Sequence, residues 1–121
     1  MGLHAASEMW KPKNTRKSLS IEFDSGEDVI LTLKKAMEQY FIKECTITDM
    51  EGTMQEAVLA PSKKNLSNLP IMHAKGSYKL DFGEMYGSME ITTKEKQPVT
   101  GKLIRGTADK NLQMKISYME K

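Results

Sequence analysis

The chain has 121 residues, 18 Lys and Arg against 16 Asp and Glu, 39% apolar content, eight glycines, four prolines and one cysteine. That is the length and balance of one small globular domain with a modest core, and it excludes a disordered or fibrous protein. The single Cys45 lies in an apolar, strand-like segment, so one copy of the chain can hold neither an internal disulfide nor a cysteine metal cluster; a buried reduced thiol is expected.

The first ten residues have no apolar segment suited to a signal peptide, and no run is long enough to span a bilayer, so a soluble, cytoplasmic protein is expected. Residues 1–17 carry Lys11, Lys13, Arg16 and Lys17 against Glu8, a net +3, which leaves −1 on residues 18–121. Nucleic-acid binding without sequence preference rests on cations that neutralise phosphates, so only this basic arm is a candidate for it. A solvated terminus is the competing reading.

In chain order, Leu19, Ile21 and Phe23 alternate with Ser18, Ser20 and Glu22, which predicts a strand buried on one face. Ser25-Gly26-Glu27-Asp28 supplies a capping hydroxyl and two carboxylates for a helix start. The helix then carries Val29, Ile30, Leu33, Ala36, Met37, Tyr40 and Phe41 on one stripe. Lys43–Met50 and Thr53–Ala60 read as two strands joined by a tight turn or bulge at Gly52. The stretch from Ala60 to Pro70, rich in turn formers, reads as a surface loop.

Beyond it, Tyr78, Leu80 and Phe82 mark one strand and Met85, Gly87, Met89 and Ile91 the next. Lys94–Pro98 can close a hairpin onto Val99–Arg105, and Gly106–Asn111 another onto Leu112, Met114, Ile116 and Tyr118. The expectation is an α+β domain: a mostly antiparallel sheet of about seven strands with one principal amphipathic helix. One helix covers only part of a sheet face, so the remainder needs a partner or a curl. The ten methionines suit an adaptable core or a subunit interface.

Catalytic signatures are missing: there is no Walker-type phosphate loop, no G-x-G-x-x-G, no H-E-x-x-H and no G-x-S-x-G. His4 and His73 are too few for a multi-histidine metal site, and both read as surface residues. Asp49 with Glu51, or Asp81 with Glu84, could in principle form an acid–base pair, but solvated strand edges are the commoner outcome.

The order of elements and several local strings resemble the PPC domain, also catalogued as DUF296, of plant AT-hook proteins and stand-alone prokaryotic proteins. Ser25-Gly26-Glu27-Asp28-Val29 is similar to the family's strand-to-helix step. The segment from Ile47 to Leu59 is similar to its I-x-G-I-G-x-hydrophobic-x-x-A-x-L string, with Asp49 where a glycine is usual. Tyr78-Lys79-Leu80-Asp81-Phe82-Gly83 falls where the family has F-E-I-L-S-L. The resemblance covers about residues 18–120, with residues 1–17 as an added arm.

Prokaryotic members bring three histidines together from an H-x-H strand and a G-G-H-L turn, a set able to hold zinc. Here the matching strings are Ser88-Met89-Glu90-Ile91 and Thr100-Gly101-Lys102-Leu103, so every histidine is replaced. Ser88 and Glu90 share a strand face, and the hairpin can place Lys102 beside them. An ion pair between Glu90 and Lys102 is expected in place of a metal, with no zinc and no cofactor; the rival is that both point to water.

The resemblance implies a homotrimer and a non-enzymatic, DNA-binding or regulatory role. The chain lacks the R-G-R-P core of an AT-hook, so Lys11, Lys13, Arg16 and Lys17 are the candidate phosphate contacts, multiplied over three arms; Met9 and Trp10 could insert or stack, although a tail aromatic folded back on the protein is the commoner outcome. The alternative is a protein-interaction or anion-binding module using clefts around Ser88, Glu90, Lys102 and Arg105. An enzyme centred on Glu90 and Lys102 is a third reading, without a nameable nucleophile and base.

Overall fold

The structure is a computed structural model that describes residues 15–120. Six strands and one helix follow in the order β1 (Thr15–Glu22), α1 (Val29–Gln39), β2 (Glu44–Ala60), β3 (Asn65–Asp81), β4 (Glu84–Thr93), β5 (Thr100–Ala108) and β6 (Gln113–Glu120). All strand pairings are antiparallel, in the order β1-β6-β2-β3-β4-β5 with an added β2–β5 pairing.

The expected seventh strand does not form, because β2 runs unbroken for 17 residues through Gly52. Gly52 marks a close approach instead of a turn. Its φ is +114°, and a Cβ there would lie 2.3 Å from the Asn111 carbonyl oxygen of the β5–β6 connection. The loop expected over residues 60–70 is also shorter than its composition implies. β3 starts at Asn65 because Asn65, Leu66 and Ser67 pair with Val58, Ala57 and Glu56, and the ladder's backbone hydrogen bonds outweigh the turn propensity of Asn and Ser.

The helix begins three residues later than the sequence indicates. Gly26 N–H donates to the Ala108 carbonyl and Ala108 N–H to the Glu27 carbonyl, both at 2.8 Å, which ties residues 26–28 to β5 before a helical turn can start. Asp28 is therefore the N-cap, accepting from Leu31 N–H at 2.9 Å, whereas Ser25 accepts from Gln55 Nε2. The helix buries Val29, Leu33 and Met37 at four-residue spacing. It ends in a Schellman motif: Ile42 N–H donates to the Met37 carbonyl and Phe41 N–H to the Glu38 carbonyl. Phe41, expected on the buried stripe, thus takes the left-handed position (φ 56°) and is exposed.

The sheet solves its own coverage problem by curling. One edge of β2 pairs with β6 over its first half and with β5 over its second, and β5 also pairs with β4 at residues 100–102. Strands β2, β3, β4 and β5 thereby close on one another, with β6 and β1 extending from β2. The helix residues share one buried cluster with Phe23, Ile47, Met50, Met54, Met89, Ile91, Leu103, Met114 and Ile116. Each such side chain contributes about 1.5–3 kcal/mol when fully buried. Five of the ten methionines (Met37, Met50, Met54, Met89 and Met114) are in this core, as the adaptable-core reading expects, while Met72 and Met119 are exposed.

The β3–β4 hairpin turns on two residues, Phe82 (φ 49°) and Gly83 (φ 77°), the positive-φ pair that a type I′ turn requires. A left-handed conformation costs a non-glycine residue roughly 1–2 kcal/mol. Phe82 bears that cost while its side chain is 99% exposed, which reverses the inward position its alternation with Tyr78 and Leu80 implies.

Candidate functional site

The outer face of the sheet is built by the pairing register. Ser18 lies opposite Ser117, Ser117 opposite Thr46, Thr46 opposite Ser77, and Ser77 opposite Ser88, a row of hydroxyls across five strands. Beside it, β3, β4 and β5 place Lys75, Glu90 and Lys102 in a second row. Ser88 and Glu90 are two residues apart and exposed on this face, as their spacing predicts.

Lys102 does stand directly across the ladder from Glu90. The ion pair that forms, however, is with Lys75, whose Nζ lies 3.6 Å from Glu90 Oε1. Both groups are more than 40% exposed, so the pair is a surface one. Lys75 was legible in principle: a two-residue turn at Phe82–Gly83 sets Asp81 opposite Glu84, and counting back along the hairpin puts Lys75 opposite Glu90. Arg105 does not join this group. It lies past a register shift in β5, opposite Val58, and lines a separate pocket of about 70 Å³ with Asp28, Glu56 and Asn65.

At the position of the resembled family's histidine cluster the donors are one carboxylate and one hydroxyl, with an ammonium group on each neighbouring strand. A divalent cation needs several lone-pair donors and gains nothing from two adjacent cations, so these residues do not fit a metal. Among the described residues no group of three or more His, Cys, Asp or Glu is placed to hold one.

The remaining candidates are dispersed. Asp49 does not pair with Glu51; it lies 3.5 Å from His73 Nδ1 and accepts from Met50 N–H. Glu51 lines a polar groove of about 340 Å³ with Thr53, Pro70, Lys94, Asn111 and Gln113. Asp81 and Glu84 face each other across the hairpin turn, and Glu84 accepts from the Tyr86 hydroxyl at 2.8 Å, which raises the phenol's pKa. Cys45 is buried 3.8 Å from Met37 Sδ, and desolvation pushes its thiol up to about 11.

Of the basic arm, Lys11 and Lys13 lie outside the described residues, as do His4, Met9 and Trp10. Arg16 and Lys17 belong to β1, opposite Met119 and Tyr118 of β6, and both are exposed. The Arg16 Nη1 donates to Ser117 Oγ at 2.6 Å, which lays the guanidinium over one end of the hydroxyl row. No helix of the described residues is long and apolar enough to cross a membrane.

No protein-family model and no curated protein sequence matches the chain. Solved structures do. A plant- and prokaryote-conserved (PPC) protein from Pyrococcus horikoshii superposes with a TM-score of 0.70 at 12% identity, covering 89% of this chain and 82% of that one. A "putative DNA-binding protein" from Ralstonia eutropha JMP134 gives 0.68 at 17% identity over 92% and 85%. A metal-containing protein from Archaeoglobus fulgidus gives 0.66 at 14% identity over 88% and 80%. This chain has the PPC fold.

Proposed function

We propose that the chain is a non-enzymatic, homotrimeric PPC-fold protein that contacts DNA through Lys11, Lys13, Arg16 and Lys17. The observation that carries this reading is the placement of Arg16 and Lys17 at the start of an edge strand. Residues 1–14, with Lys11 and Lys13, immediately precede that strand in the sequence, so the net +3 falls within one short segment of sequence while residues 18–121 carry −1. The description of the Ralstonia neighbour, "putative DNA-binding protein", agrees with it. Assembly as a trimer follows the PPC resemblance and would multiply three weak arms.

The alternative, an anion- or protein-binding cleft formed by Ser88, Glu90, Lys102 and Arg105, finds less support, since Arg105 stands apart from the other three.

The test compares the full chain with a Lys11→Ala, Lys13→Ala, Arg16→Ala, Lys17→Ala variant on A·T-rich and mixed duplexes at two salt concentrations. Substitution is preferable to deletion because Thr15–Lys17 are part of β1. Binding that weakens steeply with salt and is lost in the variant supports the reading; no binding by the full chain at low salt removes it. Light scattering should give about three times the 13.7 kDa chain mass.

A further inference from the structure

The groove lined by Glu51, Thr53, Pro70, Lys94, Asn111 and Gln113 belongs to neither reading of the function. Three strands and one turn build it. Gly52 of β2 is opposite Ile71 of β3, and Ile71 is opposite Thr93 of β4. Thr93 is fully buried; its N–H donates to the Val99 carbonyl and its hydroxyl accepts from Val99 N–H, each at 2.9 Å. Lys94 N–H then donates to the Pro70 carbonyl at 2.9 Å, which fixes the lysine's backbone at one wall. At the other wall, Gly52 admits the β5–β6 connection so closely that Asn111 Oδ1 accepts from Thr53 N–H at 3.3 Å. That bond orients the amide and leaves its Nδ2 group to donate elsewhere. Glu51 and Gln113, opposite each other on β2 and β6, complete the groove.

One carboxylate and one ammonium group thus line the same concavity without meeting. On the outer face of the sheet Lys75 and Glu90, Lys79 and Glu44, and His73 and Asp49 have closed to 3.4–3.6 Å. Among the described residues neither Glu51 nor Lys94 is in an ion pair, with the other or with any neighbour, and no hydrogen bond engages the Gln113 amide. Strands β2 and β4 are two ladder spacings apart, about 10 Å, so the two charges flank the groove and leave room between them.

Such a pair selects against a single charge. Glu51 repels an anion, and with it a phosphate backbone, while Lys94 repels a cation. A small molecule carrying both charges meets Glu51 with its ammonium group and Lys94 with its carboxylate. Thr53, Asn111 and Gln113 supply neutral donors and acceptors for its other polar groups. The groove's volume of about 340 Å³ falls at the small end of ligand sites, about 300–1,000 Å³. We infer that this groove binds a zwitterionic α-amino acid between Glu51 and Lys94. None of Lys11, Lys13, Arg16 and Lys17 lines it, so the inference stands apart from the DNA reading.

The test measures binding of L-serine, L-asparagine and L-glutamine to the full chain by calorimetry, beside the N-acetyl and the carboxamide derivative of each. It is repeated on Glu51→Gln and Lys94→Met variants, whose altered side chains are exposed, so both should melt as wild type does. The expected result is saturable binding of at least one free amino acid at millimolar concentration or below. Acetylation, amidation and each substitution should all weaken it tenfold or more. No binding of the three amino acids by wild type overturns the inference. So does affinity retained by the N-acetyl form, which would make the groove an anion site, or by the carboxamide, which would make it a cation site. Affinity unchanged in either variant places the amino acid elsewhere and likewise overturns it.

Discussion

Glu90 stands directly across the β4–β5 ladder from Lys102, yet its carboxylate lies 3.6 Å from Lys75 Nζ on β3. Lysines on both neighbouring strands compete for one carboxylate, and the closer contact is the hairpin partner. A double-mutant cycle with Glu90→Gln and Lys75→Met should give a coupling of about 0.2–1 kcal/mol, because both groups are well solvated. The cycle with Lys102→Met should give less. A larger coupling to Lys102, measured by urea unfolding, would show that Glu90 turns toward β5 in solution.

Gly52 is the point at which the β5–β6 connection crosses β2. A methyl group there meets the Asn111 carbonyl oxygen and the Leu112 Cα, both backbone atoms that cannot step aside, at a φ that disfavours any side chain. Gly52→Ala should cost about 2–3 kcal/mol from backbone strain. Gly26→Ala, with no neighbour within 4 Å of the added carbon, should show mainly the smaller cost of its positive φ. Equal unfolding midpoints for the two variants would contradict the close approach.

Stability should fall in alkali through two buried acids. Desolvation raises the Cys45 thiol from 9.0 to about 11, against a smaller lowering by the Tyr78 backbone hydrogen bond. Desolvation, with a contribution from Cys45, raises the Tyr78 phenol from 10.0 to about 12. The unfolded chain releases each proton first, so the stabilisation is whole below pH 9 and is lost progressively between pH 9 and 12. Urea midpoints from pH 8 to 11 should decline, and Cys45→Ala should flatten the first part of the decline. At pH 8 a thiol reagent should label the native chain far more slowly than the unfolded one.

The helix start discriminates between two serine- and aspartate-based caps. Asp28→Ala removes the acceptor for Leu31 N–H and should cost about 1 kcal/mol. Ser25→Ala loses only an exposed contact with Gln55 and should stay within about 0.5 kcal/mol of wild type. The reverse order of effects on thermal unfolding would return the cap to Ser25.

Alternation and helical spacing made most of the elements legible. Ile21, Met89 and Ile91, and Met114 and Ile116 are buried as their period-two spacing requires, with Leu19 partly buried against the same core, and Val29, Leu33 and Met37 form the buried helical stripe. The same logic misplaced Phe41 and Phe82. Periodicity describes a regular element, and both residues lie just beyond the end of one, where the backbone turns left-handed and the next side chain no longer follows the face. Asn65 and Ser67 misled in the opposite sense: turn composition is a local preference, and β2 imposes strand on them from across the ladder, while Asn68 keeps a left-handed backbone (φ 50°).

The sequence by itself determined the α+β class, the single amphipathic helix, the buried thiol and the concentration of positive charge in residues 1–17, because composition and local periodicity suffice for these. Tertiary structure alone decided that β2 is one strand, that β5 closes the sheet onto it, that Glu90 pairs with Lys75, and that Glu51 and Lys94 line one groove. Each of these joins residues far apart in the chain, and strand register, a long-range property, sets which of them meet.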